Sequence, residues 1–262
     1  MVHIFFKKEY SQDYPPVFIQ GWIFQDSNEF KTYLTTRVYA KLCDLEGKED
    51  VKELLQEVPS TGFLDDNLEV ILTVDPEFEP WKIGEALGAC FLEDHFGVYF
   101  PWNTNRDARV PRASLPGPDL VGFVKTESGC RFAFGEVKTS WDKNVPPKVV
   151  YGRTGMTLQL EKLRDDSSIR NQLFRWLAFR ARGSEWESQF KEAAGAYLNC
   201  NKDLCLYGVL VRDTPPALKD LEGRGKILAS GCPPEMVIHL LGYYLVVPIT
   251  KWPEIIRAAG MD

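Results

Sequence analysis

Two short apolar segments separated by a turn signal stand out in the middle of the chain. Val, Phe and Leu dominate residues 119–124 and 131–138, and a Glu-Ser-Gly sequence lies between them at residues 127–129. This pattern predicts a β-hairpin. Because side chains alternate along a strand, Glu136 and Lys138 are expected on the same face. A carboxylate and an ammonium group should therefore point in the same direction.

The length of the turn determines which residue of the first strand lies opposite this pair. A two-residue loop at residues 128–129 places Asp119 opposite Lys138, with Glu136 on the diagonal. A four-residue loop instead places Asp119 directly opposite Glu136. In both registers, two carboxylates and one ammonium group converge at one end of the hairpin.

Residues 79–97 have the periodicity of a helix. Apolar residues recur at helical spacing on one side of the expected helix, and further apolar residues lie on its other side. Pro80 is typical of the first turn of a helix, and Gly97 is typical of its end. Such a helix is expected to be largely buried. Glu85 falls near Trp81 and other apolar residues around the helix axis, so its carboxylate needs a partner if it is charged. A metal ion is one such partner, and an exposed position on a surface helix is the alternative.

Oxygen ligands from two strands with a cation beside them suit a hard divalent metal ion such as magnesium. The lysine would orient or deprotonate a water molecule, or hold a phosphate oxygen. Asp119 after Pro118, followed by Glu136-Val137-Lys138, resembles the PD-(D/E)xK motif of the restriction-endonuclease-like nuclease superfamily. The resemblance implies metal-dependent hydrolysis of phosphodiester bonds. A Glu-x-Lys sequence at a strand edge is also common on solvated surfaces, so the assignment depends on all three elements.

In that superfamily, a glutamate on the helix before the hairpin commonly joins the metal site, and the Gly-Glu-Ala-Leu sequence at residues 84–87 resembles that helix. The resemblance therefore implies that Asp119, Glu136 and Glu85 are ligands of Mg²⁺ or Mn²⁺. It also implies that Lys138 is the catalytic lysine.

A glutamine on the helix after the Glu-x-Lys strand contacts the site in several exonuclease-like branches of the superfamily, and two residues match in part. Gln159 has the better distance from Lys138. Gln172 has the better local pattern, with Trp176 where that motif often carries tyrosine. We take Gln159 as the candidate catalytic residue, with Gln172 as the alternative. Each also fits an ordinary glutamine on a helix surface.

The order helix, strand, hairpin, helix, strand predicts an α/β fold. The resemblance implies a restriction-endonuclease-like core, a central mixed sheet flanked by helices, within residues 79–262. Residues 1–78 contain no motif that resembles a known family. A strand is expected at 17–24, residues 29–45 fit either strand or helix, and a short helix is expected at 48–58. We expect an α+β extension packed on the core, with a separate substrate-recognition domain as the alternative. Further helices are expected at 156–163, 167–182, 186–198 and 253–259, and strands at 204–211 and 243–249.

Composition argues against several classes of protein. The 262 residues are 44% hydrophobic and 26% charged and contain no long uncharged apolar run, so no membrane span is expected. The short apolar start is soon followed by charge, unlike a signal peptide, and we expect a cytoplasmic protein. Six scattered cysteines and three histidines, without a Cys-x-x-Cys pair, argue against a zinc site, disulfides and a histidine-activated nucleophile.

The net charge of −6 is unusual for a protein that binds nucleic acid unaided. Basic residues are frequent after the hairpin, and they would either give the site a local positive potential or form an ordinary solvated mixture of charges. A loop at residues 98–118 adds three arginines and Trp102, which could meet a phosphate backbone and a base. The basic residues after the hairpin are Lys143, Lys148, Arg153, Lys162, Arg164, Arg170, Arg175, Arg180 and Arg182, and the loop arginines are Arg106, Arg109 and Arg112.

These features predict a metal-dependent nuclease with DNA as the favoured substrate. The helix at residues 84–93 and the strand at residues 134–140 also resemble, more loosely, the small nuclease subunits of Hachiman-like antiphage defence systems, which work beside helicases. With the acidic net charge, this resemblance implies a partner protein such as a helicase or another ATPase. A catalytically silent clamp or scaffold with a nuclease fold and an RNase are the alternatives.

Overall fold

A mixed seven-stranded sheet with helices on both faces forms the centre of the protein. The computed structural model describes residues 5–55, 58, 67–68, 70–72, 78–109 and 116–259. Its strands are β1 Phe6–Tyr14, β2 Val17–Phe24, β3 Val98–Tyr99, β4 Leu120–Thr126, β5 Gly129–Ser140, β6 Cys205–Arg212 and β7 Val237–Leu245. Their order across the sheet is β1-β2-β7-β6-β5-β4-β3. The expected α/β class, with a mixed sheet flanked by helices, is confirmed.

The helices differ widely in length. They are α1 Asn28–Tyr33, α2 Tyr39–Leu42, α3 Leu45–Leu55, α4 Pro80–Phe96, α5 Lys148–Tyr151, α6 Met156–Asp165, α7 Ser167–Ala181, α8 Glu187–Asn199, α9 Glu222–Ser230 and α10 Trp252–Ala259. A π-helical turn, Leu34–Val38, joins α1 to α2. Within the described ranges, no helix is long and apolar enough to cross a membrane.

Four parallel strands, β2, β7, β6 and β5, form the middle of the sheet. The strands at the edges, β1 on one side and β4 with β3 on the other, run antiparallel to their neighbours. The four parallel strands are buried on both faces, which explains their nearly continuous apolar sequences. The carboxyl ends of β5, β6, β7 and β2 therefore lie along one edge of the sheet.

The two faces of the sheet carry two separate hydrophobic clusters. Helices α1, α4 and α10 cover one face, and α6 to α9 cover the other. Along β5, Phe132 and Phe134 belong to the cluster under α6 to α9, whereas Ala133 and Val137 belong to the cluster under α4. The alternation predicted for this strand is confirmed.

The helix predicted at residues 79–97 is α4. Pro80 occupies its first turn, and Gly97 ends it with a φ of 65°, a left-handed conformation that favours glycine. Most of the helix is buried, as expected. Trp81 in the first turn is an exception to this burial, because its side chain is exposed.

The N-terminal region contributes two strands to the same sheet. The strand predicted at residues 17–24 is β2, with the same bounds, whereas β1 was not predicted. Residues 29–45 are predominantly helical, which resolves the ambiguity between strand and helix. The helix predicted at 48–58 begins earlier, at Leu45, and its described part ends at Leu55. The proposed domain boundary after residue 78 stays a prediction.

The last strand was predicted too late in the chain. It was expected at residues 243–249, but β7 begins at Val237 and ends at Leu245. A strand that is buried on both faces has no polar alternation to mark its start, which explains the error. In the loop before β4, residues 110–115, including Arg112, lie outside the described residues.

Candidate active site

The hairpin register determines how Asp119 approaches β5. Thr126 pairs with Gly129 and Leu120 pairs with Gly135, so the two residues between Thr126 and Gly129 form the loop. Continuing this register places Asp119 beside Glu136, as in the second predicted arrangement, but the loop has two residues and not the four expected for it. The first arrangement, with Asp119 opposite Lys138, was wrong because Gly129 belongs to the ladder and not to the loop.

The edge of β5 is open beside the predicted site. β4 pairs with β5 only as far as Gly135, whereas β6 accompanies β5 to Ser140. Asp119, directly before β4, occupies the start of this gap, and its Oδ2 accepts a 2.8 Å hydrogen bond from the backbone N–H of Val137. The carboxylate thus takes the place of the missing strand and is held between Glu136 and Lys138.

Lys138 links the two carboxylates of the hairpin. Its Nζ donates a hydrogen bond to Glu136 Oε1 and lies 3.9 Å from Asp119 Oδ2. The side chains of Glu136, Asp119 and Lys138 are 7%, 19% and 25% exposed, so all three are partly withdrawn from water. Burial strengthens the interactions among these charges. The predicted convergence of Asp119, Glu136 and Lys138 is therefore present in the structure.

Glu85 reaches this cluster because α4 lies unusually close to β5. A Cβ atom on Gly84 would lie 1.9 Å from Thr139 Oγ1, and one on Gly88 would lie 3.2 Å from a methyl group of Val137. The two glycines, one helical turn apart, allow this approach. Glu85 is next to the first of them and interacts electrostatically with the charged groups of the hairpin.

Burial and mutual repulsion change the proton affinities of this cluster. Burial, followed by the negative charge of Asp119, raises the pKa of Glu85 to about 8. Burial and the charge of Glu136 raise the pKa of Asp119 to about 7. Burial acts to lower the pKa of Lys138, but the attraction of Asp119, Glu136 and Glu85 outweighs it, so the pKa of Lys138 is raised. A proton or another cation bound at these carboxylates would therefore stabilise the folded chain.

The donor set fits a divalent cation by its chemistry. Asp119, Glu136 and Glu85 supply carboxylate oxygens, the ligands that Mg²⁺ and Mn²⁺ prefer. The raised pKa values of Glu85 and Asp119 reflect burial and neighbouring negative charge, which a bound cation would offset. Among the described residues, however, no three acidic, histidine or cysteine side chains are already grouped closely enough to hold an ion. Lys138 lies against two of the three carboxylates in this arrangement.

Gln159 and Gln172 differ in their positions. Gln159 is half-buried on α6, a helix that packs on β5 and β6 on the same side as Glu136. Gln172 is exposed on α7 and accepts a hydrogen bond from Arg175. Helix α6 lies over Gly208 of β6, the neighbour of Glu136 in the sheet. Gln159 therefore lies on the helix nearer to the site, and its role stays a prediction.

The predicted basic cluster does not form a uniform positive face. The guanidinium groups of Arg164 and Arg170 are buried and donate hydrogen bonds to main-chain carbonyl groups. Arg180 pairs with Asp107 at 2.5 Å. Arg106 in the preceding loop pairs with Asp44 at 2.7 Å. The other members of the cluster, Lys143, Lys148, Arg153, Lys162, Arg175 and Arg182, are exposed.

Sequence reasoning missed a buried polar network beside the site. Arg212, at the end of β6, pairs with Asp220 at 2.6 Å, and both side chains are fully buried. Arg212 also donates hydrogen bonds to the carbonyl groups of Asp142 and Asn144, and Tyr244 donates one to Asp220. The network fixes the loop that follows β5. An arginine directly after the apolar run of β6 was the signal that could have indicated it.

Comparison of the chain with models of known protein families and with curated proteins found no match. Function is therefore inferred from the residues and geometry of the site.

Proposed function

We propose that the protein is a metal-dependent nuclease of the PD-(D/E)xK type that hydrolyses phosphodiester bonds, with DNA as the favoured substrate. The observation that carries the proposal is the meeting of Asp119, Glu136 and Lys138 at the open edge of β5, where Glu85 arrives from α4. Such a concentration of buried acidic groups around one lysine costs folding free energy, which is typical of a functional site.

Each residue of the cluster has a role in this reaction. Asp119, Glu136 and Glu85 would hold Mg²⁺ or Mn²⁺, which when bound polarises a phosphoryl oxygen and increases the acidity of a bound water molecule. Lys138 keeps its proton at neutral pH because the carboxylates raise its pKa, so its ammonium group donates to a phosphate oxygen or orients the attacking water. Water adds to phosphorus and gives up a proton to the solvent, the bond between phosphorus and the leaving oxygen breaks, and the leaving oxygen takes up a proton.

The arrangement of elements supports the same proposal. In our assignment, α4, the β4–β5 hairpin, α6 and β6 constitute a restriction-endonuclease-like core, in which the helix supplies Glu85 and the hairpin supplies the other three residues. Asp119 directly precedes β4 and Glu136 lies on the adjacent β5, so the hairpin register and the hydrogen bond from Val137 to Asp119 position the two carboxylates. Gln159 on α6 is the further candidate contact on the side of Glu136 and Lys138.

We also propose that the enzyme works in the cytoplasm beside a partner, such as a helicase or another ATPase, as in a Hachiman-like antiphage defence system. The support is the net charge of −6 and the burial or pairing of several arginines after the hairpin. A partner with stronger affinity for nucleic acid would deliver the substrate that this chain attracts only weakly.

A cleavage assay with a matched pair of variants tests the proposed activity. The purified chain is incubated with labelled single- and double-stranded DNA and RNA, with magnesium or manganese and with a chelator. We expect cleavage only with the metal, and its loss in Lys138→Ala. Lys191→Ala, which removes an exposed lysine of α8, is the control for the loss of one positive charge and should cut normally.

Two outcomes would overturn the proposal. One is the absence of cleavage by the wild-type chain on all four substrates with either metal. The other is a folded Lys138→Ala variant, with wild-type circular dichroism, that cuts at the wild-type rate. Preferred cleavage of RNA would retain the reaction but replace DNA as the substrate.

A further inference from the structure

Two tryptophans, Trp81 and Trp141, are exposed next to the candidate active site. Trp81 is 48% exposed and Trp141 is 62% exposed. All seven tryptophans of the chain lie in its described part, and the other five are buried or half-buried. A large aromatic side chain left in water costs hydrophobic free energy, so two of them together are characteristic of a binding surface.

The contact between α4 and β5 places both tryptophans at the same end of the sheet. Gly84 lies against Thr139 and Gly88 against Val137, so the helix and the strand run in opposite directions. Trp81 precedes Gly84 by three residues, or about 4.5 Å along a helix, which is the length of one to two strand residues. Trp81 therefore extends past Thr139 to the level of Trp141, the first residue after β5.

Trp81 lies on the same side of α4 as Glu85. Residues 81, 84, 85 and 88 share one side of a helix because they are three or four positions apart, and this side of α4 meets β5. Trp81 is thus one helical turn from Glu85, and Trp141 is three residues from Lys138. Both tryptophans therefore lie near the carboxyl end of β5 and close along the chain to members of the charged cluster.

The segment that carries Trp141 is held in place. Arg212 donates hydrogen bonds to the carbonyl groups of Asp142 and Asn144, directly after Trp141, and is itself fixed by its buried pair with Asp220. A backbone that is already held in place loses little further conformational entropy when its aromatic side chain binds a ligand. Exposure of Trp141 is therefore a built feature of this loop and not the result of a loose chain segment.

Each tryptophan has a lysine close to it in the chain that would suit a phosphate group of the ligand. Lys82 Nζ lies 5.3 Å from the centre of the Trp81 ring, and Lys143, two residues after Trp141, is exposed. Two lysines beside two aromatic rings match the alternation of phosphates and bases in a nucleic acid strand. In a duplex, the faces of the bases are covered by their neighbours, so only an unpaired strand offers them to indole rings.

We propose that Trp81 and Trp141 form a stacking platform for the unpaired bases of a single-stranded nucleic acid, which lies across the carboxyl end of β5 with its backbone at Lys138. The substrate class of the nuclease proposed above is then a single strand or an unpaired end. The inference rests on the proposed nuclease function only for the statement that the bound strand is cleaved. Binding of the strand by stacking does not require cleavage. Stacking supplies affinity that the acidic net charge does not.

Equilibrium binding to two matched oligonucleotides tests the stacking platform. The full chain is titrated in a chelator, so that no cleavage occurs, against a fluorescent strand of about twelve thymidines and against an abasic strand with the same number of phosphates. We expect wild type to prefer the strand with bases. Trp81→Ala and Trp141→Ala should each weaken its binding by about 5- to 150-fold, the range for loss of one stacked base.

The abasic strand and two further variants separate stacking from structural damage. Neither alanine substitution should weaken binding to the abasic strand, because that strand has nothing to stack. Trp81→Phe should recover most of the affinity. Phe179→Ala, which truncates an exposed aromatic side chain of α7, should bind as wild type does.

The outcomes distinguish the platform from the nuclease. Equal affinity of wild type for the two strands, or equal weakening of both by the tryptophan variants, would overturn the stacking proposal even if the chain cleaves DNA with magnesium. Base-dependent binding that is lost with Trp81 and Trp141 would support stacking even if no substrate is cut. A duplex bound more tightly than the single strand would also overturn it.

Discussion

Gly84 of α4 and Thr139 of β5 lie so close together that a Cβ atom on Gly84 would be 1.9 Å from Thr139 Oγ1. No side chain fits at this distance, so glycine sets the height of the helix above the strand. Glu85 is the next residue, and its carboxylate can join the charged groups of the hairpin only at this height. The packing of α4 on β5 at Gly84 thus determines whether Glu85 belongs to the charged cluster.

Gly84→Ala should therefore destabilise the protein and reduce cleavage together. Forcing a methyl group into a well-packed contact typically costs about 1–3 kcal/mol, and displacement of α4 would withdraw Glu85 from the cluster. Urea unfolding and the cleavage assay measure the two effects. The Thr139 hydroxyl is buried without a hydrogen-bond partner, so its removal costs little and makes room for the added methyl group. The double variant Gly84→Ala, Thr139→Ala should therefore recover part of the lost stability and part of the lost cleavage.

Gly195→Ala is the matched control for this substitution. Gly195 lies inside α8, where a Cβ atom would meet open space, so alanine there should stabilise the helix by about 0.5–1 kcal/mol. Wild-type stability of Gly84→Ala would contradict the close contact. Reduced stability with unchanged cleavage would contradict the link between this contact and Glu85.

The pKa values of Glu85 and Asp119 predict a stability that falls with rising pH. Both carboxyl groups bind protons more tightly in the folded chain, so their contribution is complete below their unfolded pKa values of about 4 and is lost as pH rises through about 7 and about 8. In a chelator, the free energy of unfolding should decrease by about 1 kcal/mol or more between about pH 6 and about pH 8.5. Urea titrations at the two pH values measure it.

Glu85→Gln should make this pH dependence shallower, because the amide cannot ionise. Glu127→Gln, in the exposed hairpin loop, is the control for loss of a carboxylate and should retain the wild-type slope. If Glu85→Gln and wild type lose the same free energy of unfolding over this interval, Glu85 is not one of the groups responsible.

Magnesium or manganese should stabilise the folded chain, and Asp119→Asn should reduce this effect. A ligand that binds only the folded state adds about 2.7 kcal/mol at one hundred times its dissociation constant. Asparagine retains an oxygen that can accept the hydrogen bond from Val137, so the variant should fold while losing a charged ligand. Thermal unfolding with and without metal, together with calorimetric titration, measures the difference.

Asp13→Asn, at an exposed position of β1, controls for the general effect of one lost negative charge. It should respond to the metal as wild type does. An Asp119→Asn variant that gains as much stability from the metal as wild type would exclude Asp119 as a ligand.

The isolated chain should bind nucleic acid weakly at about 150 mM salt, with a shallow dependence on salt concentration. The guanidinium groups of Arg164 and Arg170 are committed to main-chain carbonyl groups, and Arg180 is paired with Asp107, so these three neutralise few phosphates. Binding to a short strand and to a duplex across a salt series gives the slope. Tight binding with a steep slope would refute the need for a partner protein.

Local sequence patterns predicted those parts of the site that depend on one element. Alternation along β5 placed Glu136 and Lys138 on one face, and Pro80 with Gly97 defined α4. The register of the hairpin was left open, because a Glu-Ser-Gly turn fits more than one loop. The observed two-residue loop at residues 127–128 matches neither predicted loop but has the register expected for the four-residue one. Residues close in sequence also do not show that β4 stops pairing at Gly135 while β5 continues to Ser140.

Features that depend on distant parts of the chain were missed. Periodicity indicated that α4 is buried but not that its first turn extends beyond the end of β5, so the exposure of Trp81 was not predicted. The sequence of β1 is largely polar, and it becomes a strand by pairing with β2 at the edge of the sheet. The close approach of Gly84 to Thr139 likewise follows only from the packed arrangement.

The position of β2 between β1 and β7 has a consequence for folding. Val17 pairs with Ile238 and Phe24 pairs with Leu245, so β2, near the start of the chain, lies beside β7, near its end. Contacts between residues so far apart in sequence raise the contact order and slow folding, because a long loop must close before they form. During synthesis, the β1–β2 hairpin must therefore wait for most of the chain, with one edge of β2 unpaired until β7 arrives.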